Sequence, residues 1–571
     1  MRKILTYLKP YLPRMTLGLM LKFIGTIMDL LLPWILAYTI DDIVPSHDVP
    51  LILIWGVIMI LCSVVALVTN IIANRMASKV AKDTTEAIRH DLFSKISYFS
   101  CRQMDEFTIP SLESRLTSDT YNIHQLIGMM QRLGVRAPIL LLGGIIVTLT
   151  LEPVLSLILI LIIPFIGLLV YLVTKKSIPL YSGQQRAVDI LVRTVRENIT
   201  GIRVIKALSK TNHEKQRFSD VNEDVVNREK KAGITMALTN PMMNLFLNTG
   251  LTMVIIVGAS RVNAGLTPPG KIIAFLTYFI IILNAMLSIT RMFVLYSKGS
   301  ASANRICQVL DTQEDLKLEP KNHIDNGYHI TFDHVCFSYH KGKDNIDDIS
   351  FELKQGETLG IIGATGCGKS TLIRLLLRLY DVDQGEIRIN GDNICSIPPK
   401  KLHTKFGIVF QNDVLFADTI AANIDFGRGL SRKQIEVAAE YAQAKEFIDS
   451  LSDGYDHILT NRSSNLSGGQ KQRLLVARAL AARPEILILD DSSSALDYKT
   501  DSLLRKALVQ NFQNTTTIII AQRVSSIMYA DHILVLEEGK AIGYGTHEQL
   551  IQNCESYSEI SMTQMGGKVI A

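Results

Sequence analysis

Near the middle of the chain, Gly363-Ala364-Thr365-Gly366-Cys367-Gly368-Lys369-Ser370 has the GxxxxGK[ST] spacing of a loop that cradles phosphates. Its glycines let backbone N–H groups face an anion, and a helix opening near Lys369 adds its positive N-terminal end. In this pattern Lys369 reaches the β- and γ-phosphates of ATP and the Ser370 hydroxyl ligates Mg²⁺. Gly363, Thr365, Gly366, Cys367, Gly368 and Thr371 complete the set of candidate ATP-binding residues. Downstream, the apolar run 485–489 ends in Asp490, and a carboxylate at a strand end can hold Mg²⁺ through water. Between these two elements lies Leu466-Ser467-Gly468-Gly469-Gln470, followed by a helical pattern with Arg473 and Arg478. That five-residue string is far more specific than a lone glycine loop.

These residues need a sheet and helices behind them. Residues 358–362 run apolar into the phosphate loop, 329–337 and 349–353 alternate as strands, and 517–521 reads as another strand. The last 240-odd residues therefore read as a soluble α/β domain. The apolar excess of the 571-residue chain lies ahead of it: 48% of residues are hydrophobic and 20% charged, with a mean hydropathy of +0.22. A membrane-crossing helix needs about 20 mostly apolar residues. Six stretches qualify, near 16–40, 51–74, 133–151, 153–173, 240–262 and 271–295. Division of the chain follows: a transmembrane domain with six spans over 1–305, a linker over 306–326, and a nucleotide domain over 327–571.

Composition excludes other classes. Disordered chains are poor in apolar residues. The seven cysteines are odd in number and form no CxxC pair, which argues against a disulfide scaffold and a zinc ribbon. A net charge of +5 is too small to argue for a nucleic-acid partner. The basic stretch before the first span resembles a signal-peptide start, but that span is too long for one and is expected to be retained. Lysines and arginines crowd 75–127 and 174–235 and are scarce in the other loops. The positive-inside rule then puts both long connections and both termini in the cytoplasm.

Ionisable residues within spans are costly and point to function. Lys22 and Asp29, seven apart, share a helical face, where a structural ion pair and substrate contact are equally open. Arg132, Arg136 and Arg291 lie near span ends, where snorkelling to the interface is the expectation. Asn240, Asn244 and Asn248 form a stripe on span five, and Phe275, Tyr278, Phe279 and Met286 lie on span six. Either a cavity for an amphipathic guest or plain helix packing accounts for them.

With the phosphate loop, the LSGGQ string and six spans in one chain, the protein resembles the ATP-binding cassette (ABC) transporters along essentially its whole length. The implied fold is a membrane α-helical domain with long cytoplasmic extensions, followed by an α/β P-loop NTPase domain of ABC type. Six spans followed by one nucleotide domain resemble a half-transporter of the exporter type. The resemblance implies a dimer of halves, with ATP sandwiched between the phosphate loop of one and the LSGGQ of the other. It makes Tyr339 the adenine-stacking aromatic and Gln411 the residue that senses Mg²⁺ and the γ-phosphate. Ser494-Ala495-Leu496-Asp497 becomes the D-loop, and the tips near 102–107 and 199–204 become coupling helices. The long connections, about 53 and 62 residues, would then be helical hairpins reaching some 30–40 Å beyond the bilayer. The Asn-x-Ser/Thr triplets at Asn198, Asn465 and Asn514 are all placed in the cytosol and read as unglycosylated.

Three positions depart from the family pattern. After Asp490 the family has a Glu that polarises the attacking water, and here stands Asp491. A carboxylate one methylene shorter falls about 1–1.5 Å short, a misplacement able to cost about 10²-fold in rate. After the strand at 517–521 the family has a histidine, and here stands Gln522, whose amide cannot carry charge or relay a proton. Before LSGGQ, Thr460-Asn461-Arg462-Ser463 lacks the family's Glu. These losses predict a degenerate site that holds ATP and hydrolyses it slowly, while the intact LSGGQ serves a partner's site. The expectation is a heterodimer resembling bacterial multidrug exporters, in the cytoplasmic membrane, whose second half-transporter supplies the catalytic Glu and His. The expected cargo is hydrophobic or amphipathic. A lipid or peptide exporter, an ATP-gated or regulatory subunit, and a slow homodimer are the alternatives. With no protease-like extension before span one, a leader-processing peptide exporter is not expected, and the fused cassette argues against an importer. Cys367, beside a helix N-terminus, is expected to react with maleimides and to be protected by ATP.

Overall fold

The computed structural model describes residues 2–339, 342, 344–460, 465–492 and 495–565. They form two compact units: residues 1–98 with 108–312, and residues 99–107 with 313–571.

Among the described residues, six helices of the first unit are long and apolar enough to cross a membrane. The first is carried by Leu12–Tyr38 and the second by Val49–Ser97; the third ends with Thr120–Leu151. Glu152 then takes an extended backbone, and Pro153 starts the fourth helix at once, Pro153–Thr200, giving a tight hairpin. The fifth is Thr239–Asn263 and the last Pro269–Asp311. Ile306 and Val309 are fully buried, which carries the last helix through 306–311, the beginning of the segment read above as linker.

Small residues let these helices approach closely. A Cβ on Gly250 would stand 2.3 Å from the Phe279 ring. Phe275, Tyr278 and Phe279 are buried in this packing, with Met286 against the same cluster. The Tyr278 hydroxyl donates to the carbonyl of Leu30 at 2.5 Å. For these aromatics the structure favours packing over a cavity lining. Asn244 and Asn248 are exposed in the single chain, and the side chain of Asn240 lies outside the described residues.

Lys22, Asp29 and Arg136 find partners on neighbouring helices. Lys22, only 4% exposed, donates to Asn74 Oδ1 at 3.1 Å. Arg136 pairs with Asp29 across 3.1 Å. This corrects the snorkelling expected of Arg136: a carboxylate on the neighbouring helix lies within reach, and a charge in a low-dielectric interior takes the nearest opposite charge. Arg132 folds back to the carbonyl of Gly128 at 3.0 Å.

In the second unit a four-stranded antiparallel sheet pairs Ile330–Phe337 with Ile346–Leu353 and Gln384–Ile389. A six-stranded sheet orders, edge to edge, Lys540–Gly545, His532–Glu537, Thr358–Gly363, Thr516–Ile520, Ile486–Asp490 and Phe406–Val409. All neighbours in it are parallel except the first pair. Every residue of Ile486–Asp490 is buried, as a strand covered on both faces requires. Parallel order brings the carboxyl ends of five strands to one side, at Glu537, Gly363, Ile520, Asp490 and Val409. Open α/β sheets bind ligands at such ends.

Candidate nucleotide site

The loop after Thr358–Gly363 is shaped by what surrounds it. A Cβ on Gly363 would meet the Leu536 carbonyl oxygen at 2.1 Å, so only glycine fits there. The helix Lys369–Leu376 begins after Gly368, which supplies no side-chain cap. Its leading N–H groups therefore point outward without a side-chain acceptor, the arrangement that binds anions. Lys369 Nζ donates to the carbonyls of Gly363 at 2.8 Å and Ala364 at 2.7 Å. Ser370 Oγ donates to Asp490 Oδ2 at 2.9 Å. Burial pushes the Asp490 carboxyl up from the usual range, and the neighbouring Asp491 adds to this, while Ser370 and Lys369 oppose it.

One cavity gathers Thr365, Gly366, Gly368, Lys369, Ser370, Thr371, Gln411, Asp490, Asp491 and Gln522. Each stands where a parallel strand ends, so the sheet assembles what the sequence scatters over 150-odd residues. Asp491 has a left-handed backbone, φ 51°, which aspartate tolerates better than most residues. Its N–H donates to the Ile520 carbonyl at 3.0 Å. Gln522 Nε2 lies 3.4 Å from Asp491 Oδ2. The two departures from the family pattern thus face each other at the mouth of one site. The donors Ser370, Gln411 and Asp490 offer a hydroxyl, an amide and a carboxylate, an all-oxygen set that fits magnesium.

Not every candidate joins this cavity. Cys367 is 5% exposed and packs into the apolar core behind the loop. The maleimide reactivity expected of it is corrected accordingly: a thiol with core side chains around it is closed to a bulky reagent. Tyr339 lines a separate cavity with Arg374, Tyr380 and, from the segment 99–107, Arg102 and Asp105. Its hydroxyl accepts from Arg374 at 3.1 Å, and a 3.4 Å contact to Thr371 Oγ1 ties it to the phosphate loop. Leu466, Ser467, Gly468, Gly469 and Gln470 also lie outside the phosphate cavity. Ser467 caps the helix Gly468–Ala481, and Ser467 and Gln470 exchange the two bonds of a capping box. Ser467 and Gly468 remain exposed in the single chain. Asp497 caps the helix Tyr498–Asn511, and the N–H of Thr500 holds its carboxyl below the usual range. Ser494, and Asn461 to Ser463, lie outside the described residues.

Several supporting residues escaped the sequence reading. Gln472 donates to the carbonyl of Asp491 at 3.0 Å and accepts from the N–H of Ala495 at 3.1 Å, joining the LSGGQ helix to the strand end. Gln564, near the C-terminus, donates to the Gln522 carbonyl and accepts from the Val524 N–H, both at 2.8 Å. Tyr380 packs edge-on against Tyr339, with ring centres 5.1 Å apart, and donates to Asp105 Oδ2 at 2.6 Å. Asp105 lies on Cys101–Phe107, a short helix that packs with the second unit though it lies in sequence between two long helices of the first. A hydrogen bond to a charged group contributes about 1.5–3 kcal/mol. Tyr380→Phe should therefore loosen this docking by about tenfold or more and lower transport per ATP hydrolysed, with nucleotide affinity unchanged. Flux and phosphate release measured together in vesicles test it; an unchanged ratio would show that the bond does not carry coupling.

Comparison with known proteins agrees with this geometry. Residues 15–286 match the family model of the ABC transporter transmembrane region, and residues 346–494 match that of the ABC transporter. The chain is 34% identical, over 99% of both sequences, to the uncharacterized ABC transporter ATP-binding protein YfiB of Bacillus subtilis. It is 32% identical to the uncharacterized ABC transporter ATP-binding protein Rv1273c of Mycobacterium tuberculosis, over 98% of this chain and 97% of the other. Among solved structures, a bacterial Atm1-family ABC exporter with ATP bound superposes with a TM-score of 0.82 at 24% identity, covering 99% of each chain.

Proposed function

Because this chain belongs to the ABC transporters, a membrane-spanning region fused to an ATPase domain whose ATP hydrolysis is coupled to transport, we propose that it is the degenerate-site half of a heterodimeric exporter. The observation that carries this reading is the pair Asp491 and Gln522, side by side in the phosphate cavity where the family has Glu and His. In this reading Lys369 and the N–H groups at the head of its helix hold the phosphates of ATP. Tyr339 receives the adenine. Ser370, Gln411 and Asp490 would hold magnesium, which when bound offsets phosphate charge. Asp491 is too short to orient a hydrolytic water well, and Gln522 supplies a neutral hydrogen bond in place of a proton relay.

Two exposed features support a partner. Ser467 and Gly468 sit outside this chain's own phosphate cavity, as a motif that completes another subunit's site must. The second tip, Ile202–Ala207, presents Ile202 and Val204 to solvent, with Leu208 beside them, an apolar knob suited to a second nucleotide domain. The partner supplies Glu and His to the site that this LSGGQ completes. Nucleotide-driven closure then passes through the tips to the spans, which move a hydrophobic or amphipathic compound outward across the cytoplasmic membrane. Both termini lie in the cytoplasm in this reading, and the fold likeness to an exporter supports its direction.

The double change Asp491→Glu with Gln522→His tests the degeneracy. With two competent sites in place of one, ATP turnover of the assembled complex should rise about twofold. Turnover that stays level, at unchanged ATP affinity, would show that these two side chains do not limit the site.

A further inference from the structure

We propose that the membrane half carries a binding site for the head group of an anionic amphiphile, built from Lys22, Arg132 and Arg136 on the first and third membrane helices. This rests on the reading that the complex moves amphipathic cargo, and it specifies the charge of that cargo. Lys22 is buried two turns from Asp29 on the same helix, Asp29 is paired with Arg136 of the third span, and Arg132 stands one turn from Arg136. Three cations thus share one carboxylate. Asp29 is already bonded to Arg136, and the partner of Lys22 is the neutral amide of Asn74. Arg132 spends its Nε on a carbonyl of its own helix. Two buried polar atoms beside them, Arg136 Nε and Asn70 Oδ1, have no hydrogen-bond partner among the described residues.

A purely structural ion pair would balance its charges. An uncompensated cation within a span is costly, so a positive surplus calls for an anion. Depth fits a lipid-like guest. Counting 1.5 Å per residue back from Leu151, Arg136 lies about 22 Å below the outer end of its span, in the inner half of a bilayer core about 30 Å thick. An amphiphile entering from the cytoplasmic leaflet would bring its head group to this level and its tail along the apolar helix faces. A phosphate or carboxylate head would reach the donors of Lys22, Arg132 and Arg136 together.

The test uses the full-length protein purified with its native partner subunit in nanodiscs. Two dansyl-labelled probes share one alkyl chain and differ in the head, phosphate against trimethylammonium. The phosphate probe should bind about tenfold tighter or better, and inorganic phosphate should fail to displace it. Lys22→Gln and Arg136→Gln should each weaken the phosphate probe by about five- to tenfold and leave the trimethylammonium probe unaltered, while Lys22→Arg retains binding. Equal affinity, or preference for the trimethylammonium probe, overturns the inference, and so does displacement by inorganic phosphate. Equal loss of both probes at unchanged melting temperature does the same. If the variants fail to assemble, the preference of the unaltered complex decides alone. In inside-out vesicles, ATP-driven uptake of the trimethylammonium probe alone would overturn this site and keep the amphipathic-cargo reading. Uptake of neither probe would overturn both.

Discussion

An aspartate in place of Gly468 should reduce ATP turnover of the assembled complex by about a hundredfold or more, although Gly468 takes no part in this chain's own phosphate cavity. The LSGGQ string is proposed to face the γ-phosphate bound by the partner. A carboxylate there sets like charges together, at a cost of several kcal/mol, and about 2.7 kcal/mol already amounts to a hundredfold in rate. The fold has room for the change. Among the described residues, a Cβ at Gly468 would meet the Ala495 Cβ alone, at 3.6 Å, an ordinary contact. An acidic residue in the first turn of Gly468–Ala481 also suits the helix dipole. Melting temperature should therefore hold while turnover collapses. Phosphate release and a thermal melt on one preparation check both; retained turnover would mean that this LSGGQ completes no hydrolytic site.

Lys369→Ala should act on the other site. Lys369 lies against the carbonyls of Gly363 and Ala364, close to the helix head where phosphates are proposed to bind. Removing a charge-assisted bond of about 1.5–3 kcal/mol should weaken ATP at this chain by about 10–100-fold. Turnover should fall less steeply than with Gly468→Asp, because the hydrolytic Glu belongs to the partner. Photolabelling with an azido-ATP, read separately on each subunit, distinguishes the two: this chain should lose label and the partner should keep it. Loss of label on both subunits would contradict independent sites.

The parts of the fold that were legible in the sequence are those set by local spacing. Glycines at fixed intervals after an apolar run specify a strand, a loop and a helix, and the LSGGQ string is written in five consecutive residues. The spans declared themselves by length and hydropathy. What remained hidden are pairings between distant residues. Tyr380 meets Asp105 across 275 positions, Arg136 meets Asp29 across 107, and Gln564 braces Gln522 across 42. No local pattern encodes such contacts, because each depends on how helices and loops pack. Cys367 illustrates the reverse case. Its place in the loop hinted at reactivity, yet Gly363 leaves a gap into which the thiol turns, toward the core; a Cβ on that glycine would stand 2.8 Å from it.

Whether the two halves of the transporter differ is read from the mass of the native complex. Gentle extraction from the protein's own membranes, native mass measurement and identification of each subunit would suffice. A one-to-one complex is expected, with a second half-transporter that carries Glu and His at the positions matching Asp491 and Gln522. A homodimer of this chain would contradict it, since Asp491 and Gln522 would then have to sustain all the hydrolysis there is.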